Sequence, residues 1–149
     1  MKVLNEMKLI IPARSENEAF SRSAICVFIS PLDPTLSELS DIRTAVSEAV
    51  TNSIVHAYRK TNGNIEITAK ILADSEVYIR IKDKGCGIDD VKKAMEPLYT
   101  TAPEEERSGL GFAVMENFMD KLTVKSKIGK GTTVIMRKKL GNTVNTEDE

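Results

Sequence analysis

Asp83-Lys84-Gly85-Cys86-Gly87 follows a segment, Val77 to Lys82, in which apolar and polar residues alternate strictly. Such alternation predicts a half-buried β-strand and places Asp83 on its apolar face. A carboxylate at the end of a buried face needs hydrogen-bond partners. Either Asp83 caps a turn, or it accepts a hydrogen bond from a ligand N–H such as the exocyclic amine of adenine. In the second case Gly85 and Gly87 would let the backbone approach a flat ring closely.

Composition and charge exclude several classes of protein. The 149 residues are 41% hydrophobic and carry a formal net charge of -1. These values predict one domain over residues 1–140 and no general attraction to nucleic acid or to an anionic membrane. No apolar run approaches the roughly 20 residues that a membrane span needs, and the N-terminus has no apolar secretory segment. We therefore expect a cytoplasmic protein, with a disordered acidic tail at residues 141–149.

The cysteines and the histidine limit the metal chemistry. Cys26 and Cys86 do not form a metal-type spacing, and we expect both to be reduced thiols. A single histidine in the chain excludes a multi-histidine metal site. This residue, His56, falls near a predicted helix C-terminus, where a structural role is the usual one.

The rest of the chain predicts strands with helices gathered between them. Capping-box patterns at Ser15–Glu18 and Thr35–Glu38 each open a helix. The predicted helices are residues 15–29, 35–58, 89–95 and 111–119, and the predicted strands are residues 7–13, 65–72, 77–83, 122–127 and 132–139. Pro12 favours an edge position for the first strand. This order predicts an α+β fold, a two-layer sandwich of one mixed β-sheet with helices on one face.

The long helix carries a polar face beside an apolar stripe that includes Ser53. Glu48, Asn52 and His56 follow one another at four-residue spacing, so their side chains lie along one side of the helix. Glu48 points roughly 140° away from the centre of the stripe. A carboxylate can act as a general base, and an amide oxygen can ligate Mg²⁺. The alternative is an ordinary solvated polar face.

Two further glycine clusters follow. Ser108-Gly109-Leu110-Gly111-Phe112 stands between residues 97–108, which we expect to form a mobile loop, and a predicted helix. Free N–H groups at a helix start suit phosphate, although a plain loop-to-helix joint has the same sequence. Gly129-Lys130-Gly131-Thr132 favours a hairpin turn, after which Thr132 could place a hydroxyl in a pocket.

Together these segments resemble the ATP-binding fold shared by gyrase B, Hsp90, histidine kinases and MutL. The motifs at residues 48–58, 83–87, 108–112 and 129–132 stand in that superfamily's order. The helix sequence Glu48 to Tyr58 and the segment Pro97-Leu98-Tyr99-Thr100-Thr101 are most similar to the anti-sigma serine/threonine kinases. Histidine kinases would normally carry a helix pair ahead of this domain, and DNA-remodelling relatives a transducer domain after it. We expect neither here.

The resemblance implies a homodimer that binds ATP or ADP with Mg²⁺, holds a sporulation sigma factor inactive and phosphorylates a serine of an anti-anti-sigma protein. It implies that Glu48 is the base, Asn52 the Mg²⁺ ligand and Asp83 the reader of adenine. The other implied nucleotide contacts are Gly85, Gly87 and Thr132 at the base, and Thr101, Arg107, Ser108, Gly109, Leu110 and Gly111 at the phosphates. It implies no direct nucleic-acid partner and no membrane.

Two alternatives and two surface predictions stay open. The chain could instead be a non-catalytic module whose sigma binding is gated by ATP, or a detached histidine-kinase ATP domain. The strand that bears Pro12 and the helix Ser15–Ile29 are the candidates for a dimer interface. Arg22 and Arg43 are candidate contacts with an acidic partner, although solvated arginines are common on any surface.

Overall fold

The computed structural model of the chain describes residues 2–58, 62–95 and 111–141. The elements are β1 Val3–Pro12, α1 Glu16–Ile29, α2 Leu36–Asn52, β2 Asn64–Leu72, β3 Glu76–Asp83, α3 Val91–Ala94, α4 Gly111–Phe118, β4 Lys121–Lys127 and β5 Gly131–Lys139. Each predicted helix and strand is present, with shifted bounds. The predicted loop at 97–108 and residues 142–149 of the predicted tail lie outside the described residues.

The five strands form one sheet in the order β1-β2-β3-β5-β4. All four neighbouring pairs in the described part of the chain are antiparallel, so the prediction of a mixed sheet is wrong. Alternation identifies a strand and its buried face, but it does not encode the direction in which a strand runs after a long connection. The first strand lies at a sheet edge, as Pro12 predicted, and Pro12 pairs with Asn64 at its end.

The sheet packs on helices with one face and is polar on the other. Along β3, Val77, Ile79 and Ile81 are buried and belong to the same core as residues of α1, α2 and α4. The intervening positions face outward. There the ring of Tyr78 on β3 lies 5.1 Å from the Lys70 ammonium and 5.3 Å from the Arg137 guanidinium. The two-layer α+β arrangement is therefore confirmed.

The helix α2 begins with the capping box that its sequence predicts. The Thr35 hydroxyl accepts from the Glu38 N–H at 3.0 Å, and the Glu38 carboxylate accepts from the Thr35 N–H at 2.9 Å. The same carboxylate accepts from the Gly141 N–H at 2.8 Å. Burial raises the pKa of Glu38, but the hydrogen bonds from Thr35 and Gly141, with the nearby charge of Lys138, hold that pKa below its ordinary value.

The capping box predicted at Ser15 does not form. Ser15 has helical dihedral angles, φ -59° and ψ -34°, and its side chain caps no N–H. A capping side chain normally projects from an extended residue, so a helical Ser15 lacks the geometry that Thr35 has. The neighbouring Asn17 donates instead to the Pro12 carbonyl at 2.9 Å, which ties α1 to the end of β1.

The α-helical part of α2 ends at Asn52, earlier than its predicted end at Tyr58. Residues Ser53–Ala57 continue as a π-turn, in which the Tyr58 N–H donates to the Ser53 carbonyl at 3.3 Å. A π-turn adds a residue to the helical repeat, so it changes the directions of the side chains at the end of the helix. Such turns are frequent at functional sites.

Candidate functional site

The carboxylate of Asp83 is the centre of a buried hydrogen-bond cluster. Asp83 is 5% exposed at the end of β3, on the core face that the alternation predicted. Its Oδ1 accepts from the N–H groups of Gly85 at 3.0 Å and Thr132 at 3.2 Å, and its Oδ2 accepts from the Ser53 hydroxyl at 2.9 Å. Burial raises the pKa of Asp83, and the three hydrogen bonds oppose that rise.

Ser53 is a member of this site that the sequence reasoning missed. Its helical position assigned it to the apolar stripe, and it is indeed buried, with 4% exposure. A hydroxyl on a buried helix face needs a partner, and so does a carboxylate on a buried strand face. The sequence predicted two buried polar groups that each needed a hydrogen-bond partner, and from this the contact between Ser53 and Asp83 could have been predicted.

The loop after β3 is attached to the π-turn of residues 53–57. The Cys86 N–H donates to the Ala57 carbonyl at 3.0 Å, and the Cys86 thiol donates to the His56 carbonyl at 3.2 Å. Both cysteines are free thiols, as predicted. The end of α2 thus holds the loop 84–87 in place, which gives His56 a structural contribution through its main chain.

Tyr58 makes a second connection between the same elements. Its hydroxyl accepts from the Lys84 N–H at 2.7 Å and donates to the Asn64 carbonyl at 2.8 Å. The hydroxyl therefore joins the end of the π-turn, the start of β2 and the loop after β3. Burial raises the pKa of Tyr58. The sequence reasoning gave this tyrosine no role beyond the resemblance of its motif.

The glycines of the loop make room for the protein's own chain. A Cβ at Gly85 would collide with the side chain and carbonyl of Ala57. A Cβ at Gly87, where φ is +79°, would collide with the Lys127 carbonyl. The sequence interpretation assigned both glycines to close approach of a flat ring. The structure adds a requirement that holds without any ligand, because other residues already pack against both positions.

Thr132 lies on β5 beside Asp83, and its hydroxyl belongs to a second polar pair. Thr132 Oγ1 is 2.7 Å from Ser126 Oγ on β4. The Ser126 hydroxyl also accepts from the Ile88 N–H at 2.7 Å and donates to the Gly131 carbonyl at 3.0 Å. Ser126, which the sequence reasoning did not single out, therefore fixes the position of the Thr132 hydroxyl.

Glu48 and Asn52 meet the start of α4 at the other end of the site. A Cβ built on Gly111 would lie 3.3 Å from Glu48 Oε1 and 3.4 Å from both side-chain heteroatoms of Asn52. The absence of a side chain at Gly111 leaves a cradle there, edged by a carboxylate and an amide. Since Asn52 precedes Ser53 directly, the end of α2 and the π-turn that follows it carry both ends of the site.

The oxygen donors at this cradle fit the kind of magnesium site in which the protein supplies few of the ligands. The described residues hold no cluster of three or more His, Cys, Asp or Glu side chains that could bind a metal ion. Mg²⁺ at phosphate sites commonly takes one or two protein oxygens and completes its octahedron with phosphate and water. The amide oxygen of Asn52 next to Glu48 matches that requirement.

Most of the predicted phosphate contacts fall outside the described part of the chain. Gly111 and Phe112 are the described members of the second glycine motif. The remaining predicted phosphate contacts are Thr101, Arg107, Ser108, Gly109 and Leu110, and all of them lie outside the described residues. No helix in the described ranges is both long enough and apolar enough to cross a membrane.

A family profile described as a histidine kinase-like ATPase domain matches residues 11–138. Among curated relatives, the anti-sigma F factor of Clostridium acetobutylicum is 53% identical over 135 residues, 91% of this chain and 94% of that protein. The anti-sigma F factor of Clostridium botulinum (strain Eklund 17B / Type B) is 57% identical over 136 residues, which are 91% of this chain and 94% of that protein. The anti-sigma F factor of Geobacillus kaustophilus is 50% identical over 134 residues, which are 90% of this chain and 92% of that protein.

Solved structures agree on the fold. The RsbU and RsbW domains of a Mycobacterium tuberculosis protein superpose with a TM-score of 0.67 at 19% identity, over 91% of this chain and 32% of that one. A histidine kinase domain of a blue-light activated histidine kinase from Erythrobacter litoralis gives a TM-score of 0.55 at 20% identity, over 87% of this chain and 62% of that one.

Proposed function

The chain belongs to the histidine kinase-like ATPase family and, within it, to the anti-sigma F factors, and from this premise we propose its activity. We propose that it holds a sporulation sigma factor inactive and that, as an ATP-dependent serine kinase, it phosphorylates an anti-anti-sigma protein in the cytoplasm. The observation that carries the kinase part is the meeting of Glu48, Asn52 and Gly111 at one cradle. Phosphoryl transfer needs a general base, a ligand for the metal ion and N–H groups for the phosphates, and a carboxylate, an amide and a helix N-terminus can supply them.

The residues divide the work between the two ends of the nucleotide. At the adenine end, the Asp83 carboxylate accepts a hydrogen bond from the adenine amine, and Thr132 lies beside Asp83. At the phosphates, Glu48 takes the proton from the serine hydroxyl of the partner. That hydroxyl oxygen forms a bond to the γ-phosphorus as the bond to the β–γ bridging oxygen breaks, and ADP leaves.

Asn52 would hold the magnesium ion through its amide oxygen. When bound, Mg²⁺ neutralises charge that builds up on the phosphate oxygens. Glu48, one helical turn before Asn52, is then the group that takes up the proton of the acceptor hydroxyl. The chain's own contribution is to position the acceptor and to supply backbone N–H groups, which is where most catalysis of phosphoryl transfer arises.

Exposed apolar groups on β1 and α1 support a homodimer. Leu4 and Ile10 on the edge strand are each 58% exposed, and Phe20 on α1 is 52% exposed. We propose that these two elements form the interface between two copies. Sedimentation at micromolar concentration should show a dimer, and a monomer there would contradict the proposal.

The sigma factor is proposed to contact the surface between α1 and α2. An open groove of about 360 Å³ there is lined by Arg22, Arg43 and Cys26, with Ser23 and Val27. Two guanidinium groups beside exposed apolar surface suit acidic side chains of a partner protein.

The decisive experiment is phosphotransfer from labelled Mg-ATP to a purified anti-anti-sigma protein. The wild type should label a serine of the partner, and Glu48→Ala should abolish labelling while it still binds ATP. Glu116→Ala, which removes an exposed carboxylate from α4, is the matched control and should retain labelling.

The two alternatives predict different outcomes of the same experiment. Tight ATP binding without any label would favour the non-catalytic module, in which ATP gates capture of the sigma factor. Acid-labile phosphohistidine on a partner, instead of acid-stable phosphoserine, would favour a detached histidine-kinase domain.

A further inference from the structure

We propose that Ser53 is a specificity-determining residue for the base of the nucleotide. Its hydroxyl and the Asp83 carboxylate form a pair of hydrogen-bond acceptors that selects a purine with a 6-amino group over one with a 6-oxo group. This inference rests on the proposed function in one respect, namely that a purine nucleotide binds at Asp83.

The first argument is a count of protons and lone pairs. Ser53 donates its single hydroxyl proton to Asp83 Oδ2 at 2.9 Å, and both residues are buried. A hydroxyl oxygen also has two acceptor lone pairs, and no described residue donates to them. Asp83 Oδ1 already accepts two N–H groups, whereas within the described ranges Oδ2 accepts only from Ser53. Oδ2 and the serine oxygen are thus both left as acceptors.

The second argument is that this direction of the hydroxyl is unusual for a helix. A buried serine in a helix commonly donates to a carbonyl of the preceding turn, as Ser21 on α1 does to the Glu18 carbonyl at 2.9 Å. Ser53 donates to a residue of another element instead, and it does so at the first residue of the π-turn. The side chain is therefore directed out of the helix and towards the base site.

The chemistry of the two purines then gives the selectivity. A 6-amino group offers N–H protons to the two acceptors, whereas a 6-oxo group would place its oxygen against their lone pairs. A site built to receive a hydrogen bond rejects an analogue that cannot supply it, because buried polar groups are left unpaired. Ser53 contributes by holding the ionised carboxylate in one orientation.

Loss of the Ser53 hydroxyl should weaken this rejection more than it weakens binding in general. Without its donor, the Asp83 carboxylate is free to turn, and its pKa, which burial already raises, should rise further. A protonated carboxyl can donate to a 6-oxo oxygen. The 6-oxo purine should therefore gain relative to the 6-amino purine.

The test measures the equilibrium affinities of the full-length chain for ATP and GTP with Mg²⁺ present. The wild type should prefer ATP. In Ser53→Ala the ratio of the GTP to the ATP dissociation constant should fall about tenfold, the loss expected for one hydrogen bond at a discriminating site. Ser53→Thr restores the hydroxyl and should restore the ratio. Ser21→Ala removes a buried hydroxyl that bonds only within α1 among the described residues, and it should leave the ratio unchanged.

A ratio is used because it does not depend on how much of a variant is folded. A smaller competent fraction lowers both apparent affinities by the same factor. An unchanged ratio in Ser53→Ala, with ATP binding intact in the wild type, would overturn this inference alone and leave the proposed function standing. A wild type that binds neither nucleotide would overturn both.

Discussion

The two ends of α2 are held by different kinds of contact. At its N-terminal end, Thr35 and Glu38 satisfy each other's backbone N–H groups within a single turn. At its C-terminal end the α-helix gives way to a π-turn, and Ser53 bonds to Asp83, thirty residues away along the chain. The first end is regular and local, and the second is irregular and depends on distant partners.

This difference teaches where the helix stabilises the fold and where it serves the proposed reaction. The capping box supplies hydrogen-bond acceptors to N–H groups at the start of the helix that would otherwise lack partners. The π-turn leaves the regular helical repeat and so directs Ser53 out to the base site and Ala57 to the loop after β3. We therefore expect substitutions at the first end to change stability and substitutions at the second to change nucleotide chemistry.

The largest expected effect contrasts the same substitution at the two ends. Glu48→Gln should lower the rate of phosphotransfer about a thousandfold, because an amide cannot accept the proton of the serine hydroxyl. Its ATP affinity should change little, since the side chains are nearly isosteric. Glu38→Gln should retain the wild-type rate. Single-turnover transfer from labelled ATP distinguishes them, and equal losses in both variants would break the contrast.

Asp83→Asn should separate binding from stability. ATP affinity should fall about a hundredfold, because an amide N–H would face the adenine amine. The folded protein has a raised Asp83 pKa, so the ionised carboxylate costs stability, and that cost grows as the pH rises from the ordinary aspartate pKa through the raised one.

The variant should lack this loss of stability. Melting temperatures should be measured by calorimetry from about pH 4 to about pH 8, which includes the usual range of maximal protein stability. As the pH rises, the melting temperature of the wild type should fall relative to that of Asp83→Asn. A parallel pair of curves would contradict the assignment.

Glu38→Ala should mainly lower stability. It removes the acceptor of the Thr35 and Gly141 N–H groups, and one such loss usually costs about 1–3 kcal/mol in the free energy of unfolding. Because the folded pKa of Glu38 lies below its ordinary value, its contribution is present above the ordinary pKa and is lost as the pH falls through the folded one.

Urea denaturation at neutral pH and at about pH 3, below the usual glutamate pKa, measures this dependence. The difference between wild type and Glu38→Ala should shrink at the lower pH. ATP affinity of the folded variant should equal that of the wild type, and a large loss of affinity would show that the two ends are not separable.

The smallest expected effect compares the two capping patterns. Thr35→Ala should lower the free energy of unfolding by about 1 kcal/mol, the usual cost of losing a capping side chain. Ser15→Ala should change it by only a few tenths, because the Ser15 side chain caps nothing. Equal costs for the two substitutions, again by urea denaturation, would show that Ser15 caps α1 in solution.

Local patterns in the sequence were sufficient where local chemistry determines the structure. Alternation placed Asp83 on the buried face, Pro12 placed the first strand at an edge, and the Thr35–Glu38 pattern started α2. The same kind of pattern was wrong at Ser15, because a capping box also requires an extended backbone, which sequence spacing does not report.

The rest depended on contacts between distant segments. Periodicity at 100° per residue extends the predicted α2 to Tyr58. In the structure the π-turn occurs where Cys86 donates to the Ala57 carbonyl and Lys84 donates to the Tyr58 hydroxyl, and both donors come from a distant loop. The antiparallel direction of every strand pair in the described ranges is likewise a property of the assembled sheet. Ser53 and Ser126 acquire their roles only from partners on other elements.

The packing behind Gly85 and Gly87 has a consequence for inhibitors. Ala57 lies against the first glycine and the Lys127 carbonyl against the second, so the loop cannot retreat to admit a ring wider than adenine. A compound aimed at the base site must therefore gain affinity by extending along the site towards Glu48, and broad fused rings should be poor starting scaffolds. Resistance through an enlarged adenine pocket would require simultaneous changes in the π-turn and on β4, which makes that route rare.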